Sequence, residues 1–97
     1  MFAVTRLRVP ETDAAAFAAA VDVLLSALAA RPGYRDGEVG RCTDDDGLWA
    51  LVTRWDGVGA YRRALSAAEV KLAGAPVWSY ALDEPGVYLP EERTPEG

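Results

Sequence analysis

The side chains of this chain that could do chemistry are tyrosine, lysine, arginine, carboxylates and one thiol, because histidine, asparagine and glutamine are absent from its 97 residues. Without imidazole, the Ser-His-Asp and Cys-His arrangements of nucleophilic catalysis are excluded in their usual forms. One cysteine and no histidine cannot supply the ligands of the ordinary zinc sites. Proton transfer and charge stabilisation would therefore fall to the remaining polar side chains and to backbone N–H groups.

Aromatic residues are the candidates for holding a flat substrate. Trp55 ends an apolar segment, Leu48–Trp55, and Tyr61 lies near the start of the helix that follows. A tyrosine hydroxyl that bonds a substrate oxygen favours the anion of that substrate, as an oxyanion hole does. Structural alternatives stay open, since Trp55 would also suit the core and the Tyr61 hydroxyl could simply reach solvent or a backbone carbonyl.

Trp49, Trp78 and Tyr80 face the same choice between pocket and packing. Trp78 and Tyr80 fall on one face of a predicted fourth strand, where they could line a flat aromatic pocket or the core of a dimer. Arg54 alternates out of phase with Trp55, so the two side chains serve different surfaces. An arginine in that position is more often solvated or ion-paired than bound to a substrate.

Three other sequence motifs do not predict a binding or catalytic site. Residues 57–59, Gly-Val-Gly, resemble the start of a dinucleotide fingerprint, but Arg62 stands where the third glycine belongs and the surrounding βαβ unit is missing. The aspartates at 44–46 lack the spaced oxygen ligands and closing glutamate of a calcium loop. Cys42 has only Arg41 as a basic neighbour and is expected to be a small buried filler.

Composition and charge narrow the class of protein. The net charge of −5 and the pI of about 4.6 disfavour nucleic-acid binding, which depends on neutralising phosphates. A single cysteine allows no internal disulfide, which fits a reducing compartment. The alanine-rich run at 14–30 is interrupted by Asp22 and Ser26 and falls short of a membrane span. We expect a soluble, cytoplasmic protein with no membrane partner.

The elements that must position these residues alternate between strand and helix patterns. Strands are predicted at residues 2–9, 34–43, Leu48–Trp55 and 77–82, the last followed by a bend at 83–86. The first helix carries an apolar stripe at helical spacing, ended by Pro32 and Gly33. The members of that stripe are Phe17, Val21, Leu24, Leu25 and Leu28.

Turn and cap residues set the predicted boundaries. Thr12 or Asp13 would cap the first helix, and Asp56 the second. The sequence Asp-Asp-Asp-Gly at 44–47 predicts a hairpin turn, because its Asp-Gly pair tolerates positive φ angles. A capping box at 66–69 would begin a further short helix, which Gly74 would end.

This order, β-α-β-β-α-β, predicts an α+β, ferredoxin-like fold with a four-stranded antiparallel sheet and both helices on one face. The domain would span residues 1–89, and residues 90–97 would form a disordered acidic tail. In the third strand Leu48, Ala50 and Val52 lie opposite Trp49, Leu51 and Trp55, so both faces of the sheet are apolar. A bare face of this kind predicts a homodimer in which a second copy covers it, giving a dimeric α+β barrel.

Several short segments resemble the antibiotic biosynthesis monooxygenase family of dimeric α+β barrels. They are Pro-Gly-Tyr at 32–34, Thr-Arg-Trp at 53–55, Ala-Tyr-Arg at 60–62, Val-Lys-Leu at 70–72 and Asp-Glu-Pro at 83–85. The resemblance covers nearly the whole chain as far as Tyr88. The family includes small oxygenases that oxidise polycyclic phenols without flavin, haem or metal. Its haem-degrading members use a histidine and an asparagine, which this chain lacks.

The resemblance implies a cofactor-independent monooxygenase acting on an aromatic, polyketide-like molecule. With the positions argued above, we expect Trp55, Tyr61 and Tyr80 as catalytic residues, Trp49, Arg54 and Trp78 as substrate-binding residues, and no metal or cofactor. Two rival hypotheses remain. One is a non-catalytic barrel that binds a hydrophobic metabolite, and the other is a different reaction on the same scaffold, such as decarboxylation or cyclisation.

Overall fold

Four strands and three helices make up the fold of residues 1–92, which the computed structural model describes. The strands are β1 (Phe2–Arg8), β2 (Tyr34–Arg41), β3 (Leu48–Trp55) and β4 (Val87–Tyr88), and the helices are α1 (Ala14–Ala29), α2 (Val58–Ser66) and α3 (Ala68–Trp78). The strands form a single sheet in the order β2-β3-β1-β4, with each neighbouring pair antiparallel. A 3₁₀ turn, Glu11–Asp13, leads into α1. The predicted ferredoxin-like fold is confirmed.

The two central strands separate a buried face from an open one. On β3, Leu51, Thr53 and Trp55 are buried against the helices, whereas Ala50 and Val52 on the other face stay half-buried. The register across the sheet opposes Leu7 on β1 to Trp49 and Ala3 to Thr53, so the buried sets of the two strands coincide. The alternation predicted for the third strand is therefore correct.

Helix α1 supplies the other half of the core. Phe17, Val21, Leu24 and Leu28 are buried at helical spacing, as predicted, and Leu25 is half-buried. The segment Glu11–Ala29 is long and apolar enough to cross a membrane by length and composition alone. Its buried residues belong to the hydrophobic core, and the helix lies against α3 and β2.

The predicted fourth strand at residues 77–82 is wrong, since none of these residues belongs to a regular strand. Val77 and Trp78 belong to α3, because Val70, Gly74 and Val77 are buried at helical spacing and the helix continues through Gly74 instead of ending there. Ala81 makes only an isolated bridge to Leu7. Burial of one helix face against α1 outweighs the poor helix propensity of glycine.

As a consequence, β1 is bonded along this edge of the sheet by two separate short segments instead of one continuous strand. Leu82 donates its N–H to the carbonyl of Arg6 at 2.9 Å, the chain then bends away, and Gly86 accepts from the N–H of Val4 at 2.7 Å. Within the bend, Glu84 accepts two hydrogen bonds from the Arg6 guanidinium, at 2.6 and 2.7 Å. The regular strand β4 follows this bend at Val87–Tyr88.

Asp13 is correctly predicted as an N-cap residue, but the predicted side-chain cap bonds do not form, because the polar side chains bond elsewhere. Asp13 occupies the N-cap position of α1 without a side-chain cap bond. Gly57, not Asp56, precedes α2, and Asp56 accepts from Arg35 at 2.7 Å. Ser66 donates back to the carbonyl of Arg63 instead of capping α3.

The turns also differ from the sequence prediction. The loop at 44–47 has no positive φ angle, and the Asp45 carboxylate accepts the N–H of Gly47 at 3.1 Å instead. Among residues 1–92 positive φ occurs at Gly33, with φ of 87°. Pro90 to Glu92 are exposed and have no regular structure, and the rest of the predicted tail lies outside the described residues.

Candidate functional site

A cavity of about 400 Å³ lies between strand β1 and helices α2 and α3. Its lining consists of Thr5, Tyr61, Leu65, Lys71 and Trp78. Thr5 comes from the helix-covered face of the sheet, since its neighbours in alternation, Ala3 and Leu7, are buried in the core. The volume is within the range of sites for small organic molecules.

Tyr61 brings a phenol hydroxyl to this cavity from α2. Its ring is half-buried and lies 5.6 Å from the Trp55 indole, centroid to centroid. Burial raises the pKa of Tyr61 above its ordinary value of 10.0, because the phenolate would lose hydration. The hydroxyl therefore keeps its proton at neutral pH and can donate a hydrogen bond.

Helix α3 presents Lys71, Gly74 and Trp78 along one face, at positions i, i+3 and i+7. The Trp78 indole lies directly against Gly74, so close that a Cβ atom at residue 74 would overlap its Nε1. The absence of a side chain at Gly74 thus fixes where the indole lies. Lys71, the only lysine of the chain, is exposed and lines the same cavity.

Trp55 lies behind the cavity and does not line it. Its side chain is 1% exposed, and its Nε1 donates to Thr53 Oγ1 at 2.9 Å. The Tyr34 ring, which does not line the cavity, meets it edge-on with 5.2 Å between ring centroids. Trp55 contacts the back of Tyr61, and a direct role for it in chemistry stays a prediction.

Tyr80 is placed apart from the cavity lining. Its hydroxyl donates to Asp13 Oδ2 at 2.9 Å, and its ring meets Phe17 edge-on at 5.5 Å. The bond to Asp13 is the main cause that raises the pKa of Tyr80. The bond ties the loop after α3 to the start of α1, and catalysis by Tyr80 stays a prediction.

Trp49 and Arg54 also lie outside this cavity. Trp49 packs edge-on against Phe17 at 5.1 Å, with the Arg41 guanidinium 4.4 Å from its ring centroid. It lines a second hollow of about 320 Å³ at the β2–β3 end of the sheet. Arg54 lies on the open face and donates to Asp36 Oδ1 at 2.8 Å. Substrate binding by either residue stays a prediction.

The structure therefore brings Tyr61 and Trp78 together from the predicted set, with Trp55 behind them. Thr5, Leu65 and Lys71 were not predicted as site residues. Lys71 could have been found from its helical spacing to Trp78, but the sequence pattern placed Trp78 on a strand. Thr5 carries no local signal, because its position follows only from the alternation of β1.

The lining can hold a flat apolar molecule and can offer it two polar contacts. Trp78 and Leu65 supply apolar surface, Tyr61 supplies a neutral donor, and Lys71 supplies a cation. No carboxylate is among the lining residues. Across residues 1–92 no cluster of three or more acidic or thiol side chains is placed to ligate a metal ion.

Comparison with known proteins gives a family match and several similar structures. The family model of antibiotic biosynthesis monooxygenases matches residues 1–75. A comparison with curated protein sequences gave no match.

Two solved structures illustrate the similarity of fold. SnoaB, a cofactor-independent oxygenase from Streptomyces nogalater, superposes with a TM-score of 0.83 at 22% identity, over 98% of this chain and 96% of that chain. The protein Rv0793 from Mycobacterium tuberculosis superposes with a TM-score of 0.76 at 18% identity, over 95% of each chain. At these identities the superpositions establish the fold.

Proposed function

Because the chain belongs to the antibiotic biosynthesis monooxygenase family, we propose that it is a cofactor-independent monooxygenase that oxidises an aromatic small molecule. The reaction would take place in the cavity between β1 and helices α2 and α3. SnoaB, which shares the fold, is a cofactor-independent oxygenase, and that activity is part of what supports the proposal.

The substrate supplies the electrons in such a reaction. An anthrone carries a methylene group between two aromatic rings, and its enolised form is an electron-rich phenol. Reaction with O₂ converts the methylene to a carbonyl and releases one water, so that one oxygen atom enters the product and the other leaves as water. The protein has to bind the ring system, favour its anion and limit access of bulk water.

The observation that carries the proposal is the position of Tyr61 on the wall of the same cavity as Trp78. Burial is the cause that keeps the Tyr61 pKa raised, so the group donates a hydrogen bond and does not compete as an anion. A donor aimed at a substrate oxygen stabilises the negative charge that develops there. Trp78 and Leu65 provide the apolar surface against which the rings would lie.

Trp55 enters the proposal as a positioning residue. Its indole is buried and tied to Thr53, and it contacts the Tyr61 ring. A rigid support behind the phenol limits the orientations of the hydroxyl.

We further propose that the protein is a homodimer in the cytoplasm. Val4, Ala50 and Val52 on the open face of the sheet are half-buried in the single chain, and a second copy would exclude water from them. Arg54 and Asp36 form an ion pair on the same face, so the surface carries both charge signs and suits a partner with the same residues.

The test is oxygen uptake with an anthrone after removal of flavin and metal ions. We expect uptake above the rate without protein, one water and one carbonyl per O₂ consumed, and loss of uptake in Tyr61→Phe. No uptake above the protein-free rate across a panel of anthrones and hydroquinones would contradict the proposal.

A non-catalytic binding protein is the second candidate. It would need only the apolar cavity, without a donor in it. Tyr61 and Lys71 both line the cavity, which favours the catalytic proposal. Tight binding of an anthrone with no turnover in the same assay would support the binding protein instead.

A further inference from the structure

We propose that the cavity selects a planar aromatic anion, in which an acidic group attached directly to the ring system pairs with Lys71 while the rings lie against Trp78. The inference rests on the proposed function in using the same cavity, and it adds the charge and shape of the molecule bound there. The acidic group is a carboxylate or an ionised phenol.

The charge of the cavity lining favours an anionic ligand. Lys71 is the only charged residue of the lining, and the lining contains no carboxylate that would neutralise it. Within residues 1–92 no ion pair holds its ammonium group, and although Arg31, Arg62 and Arg63 also lack ion pairs, they do not line the cavity. An unneutralised cation on the cavity wall favours an anionic ligand, in a protein whose net charge is −5.

The spacing of Lys71 and Trp78 along α3 limits where the acidic group of the ligand can lie. The Trp78 side chain turns back toward the start of the helix and covers Gly74, which lies three residues after Lys71. Three residues correspond to a rise of about 4.5 Å along a helix. An extended lysine side chain is long enough to span that distance, so its ammonium group can reach the edge of a ring that lies against the indole. The acidic group would therefore be a direct ring substituent and not the end of a long chain.

The polar contacts also divide between two ends of the ligand. Tyr61 approaches the cavity from α2 and Lys71 from α3. A neutral donor suits the oxygen at the reacting position, whereas an exposed ammonium group suits a full charge at the mouth. The two groups thus fix the orientation of a flat molecule that Trp78 and Leu65 alone would bind in several ways.

The experiment measures binding by quenching of tryptophan fluorescence, with probes that are already oxidised and cannot turn over. The first pair is anthraquinone-2-carboxylate and its neutral carboxamide. The second pair is 2-hydroxyanthraquinone, at a pH where its hydroxyl is ionised, and the corresponding methyl ether. We expect the anion of at least one pair to bind about tenfold more tightly than its neutral partner, since a hydrogen bond to a charged group contributes that much.

Variants test whether Lys71 causes the preference for the anion. Lys71→Gln should abolish the preference, Lys71→Arg should keep it, and Arg62→Gln should leave it unchanged. Arg62 is an exposed cation on the neighbouring helix that does not line the cavity, so its replacement removes the same charge from the surface. Circular dichroism and thermal unfolding of each variant verify that the fold is retained.

The outcomes separate this inference from the proposed function. Equal binding within both pairs, failure of all four probes to bind, or a preference that survives in Lys71→Gln would overturn it. The pair that shows the preference identifies the acidic group. Oxygen uptake with a neutral anthrone and no preference for anions would leave the monooxygenase proposal standing alone, and a preference for anions without any uptake would leave only the binding inference.

Discussion

The Tyr61 ring rests on the Trp55 indole, with 5.6 Å between ring centroids and 57° between ring planes. Trp55 is itself immobilised by the hydrogen bond from its Nε1 to Thr53 and by the edge of Tyr34. The phenol is therefore held between a rigid core on one side and the cavity on the other.

Replacing Tyr61 by phenylalanine keeps this ring contact and removes the donor alone. We expect oxygen uptake with an anthrone to fall roughly 100-fold, the typical effect of losing one donor to a developing oxyanion, with little change in thermal stability. The control is Tyr88→Phe, which removes an exposed hydroxyl that bonds the carbonyl of Pro85. Equal rates for the two variants would refute a role for the Tyr61 hydroxyl.

Trp55→Ala tests the support behind Tyr61. The side chain is 1% exposed, so the substitution removes a large buried group and leaves a cavity. We expect a loss of roughly 3–5 kcal/mol in the free energy of unfolding, measured by urea denaturation. Leu72→Ala is the control, because Leu72 is 78% exposed and its truncation should change stability by less than about 0.5 kcal/mol. Similar effects of the two substitutions would show that Trp55 is not part of the core.

Alkaline titration should reveal three tyrosines that ionise late. The pKa values of Tyr34 and Tyr61 are raised mainly by burial, and that of Tyr80 mainly by its hydrogen bond to Asp13. A folded-state pKa above the unfolded value of about 10 means that the folded protein holds these protons more tightly. Their contribution to stability is thus complete below that pH and is lost as the pH rises through the folded-state values.

Two measurements check this expectation. The ultraviolet absorbance of phenolate should show most tyrosine ionisation above the ordinary value, and the thermal unfolding temperature should fall over the same range of pH. Tyr61→Phe should remove part of the late absorbance change. Ionisation of all tyrosines at the ordinary value, with no change in unfolding temperature, would contradict the burial of Tyr34 and Tyr61 and the hydrogen bond between Tyr80 and Asp13.

The sequence predicts how the helices pack on the sheet, because the spacing of apolar residues in a strand or helix shows which side chains are buried. The stripe of α1 and the two faces of β3 were both predicted from apolar spacing, and both are present. The element order then predicts the strand order, since a split βαβ arrangement leaves few alternatives.

The boundary between α3 and the last strand was not accessible from local pattern. Gly74 looks like a helix end, and Val77 to Leu82 look like a strand, until the contact between Gly74 and the Trp78 indole is known. That contact and the packing of α3 on α1 are tertiary effects that propensity does not contain. The same error hid Lys71, whose place in the cavity depends on sharing a helix face with Trp78.

Val52→Arg should separate the proposed homodimer into single chains. Val52 is half-buried on the open face of the sheet, between Val4 on β1 and Glu38 on β2. A second copy would remove water from an arginine there, which costs several kcal/mol even beside Glu38. Sedimentation at micromolar concentration should give a dimer for the wild type and a monomer for the variant. Val23→Arg, on the exposed side of α1 where the side chain is 60% exposed, should remain a dimer. A monomeric wild type would rule out the dimer.

Gly74→Ala tests whether residue 74 acts through helix propensity or through the position of the Trp78 side chain. Alanine favours a helix interior over glycine by about 1 kcal/mol, so a change governed by propensity would stabilise the protein and leave the cavity intact. The new methyl group would overlap the Trp78 indole, which has to rotate into the cavity or toward solvent.

We therefore expect Gly74→Ala to shift tryptophan fluorescence, to weaken binding of a planar aromatic probe by about tenfold, and to leave stability nearly unchanged because the two effects oppose one another. Gly40→Ala is the matched control, since a Cβ atom at residue 40 meets nothing within 4 Å, and it should leave the fluorescence unchanged. An increase in stability of Gly74→Ala with unaltered fluorescence and affinity would mean that the indole has room to accommodate the methyl group, and that Gly74 does not determine the shape of the cavity.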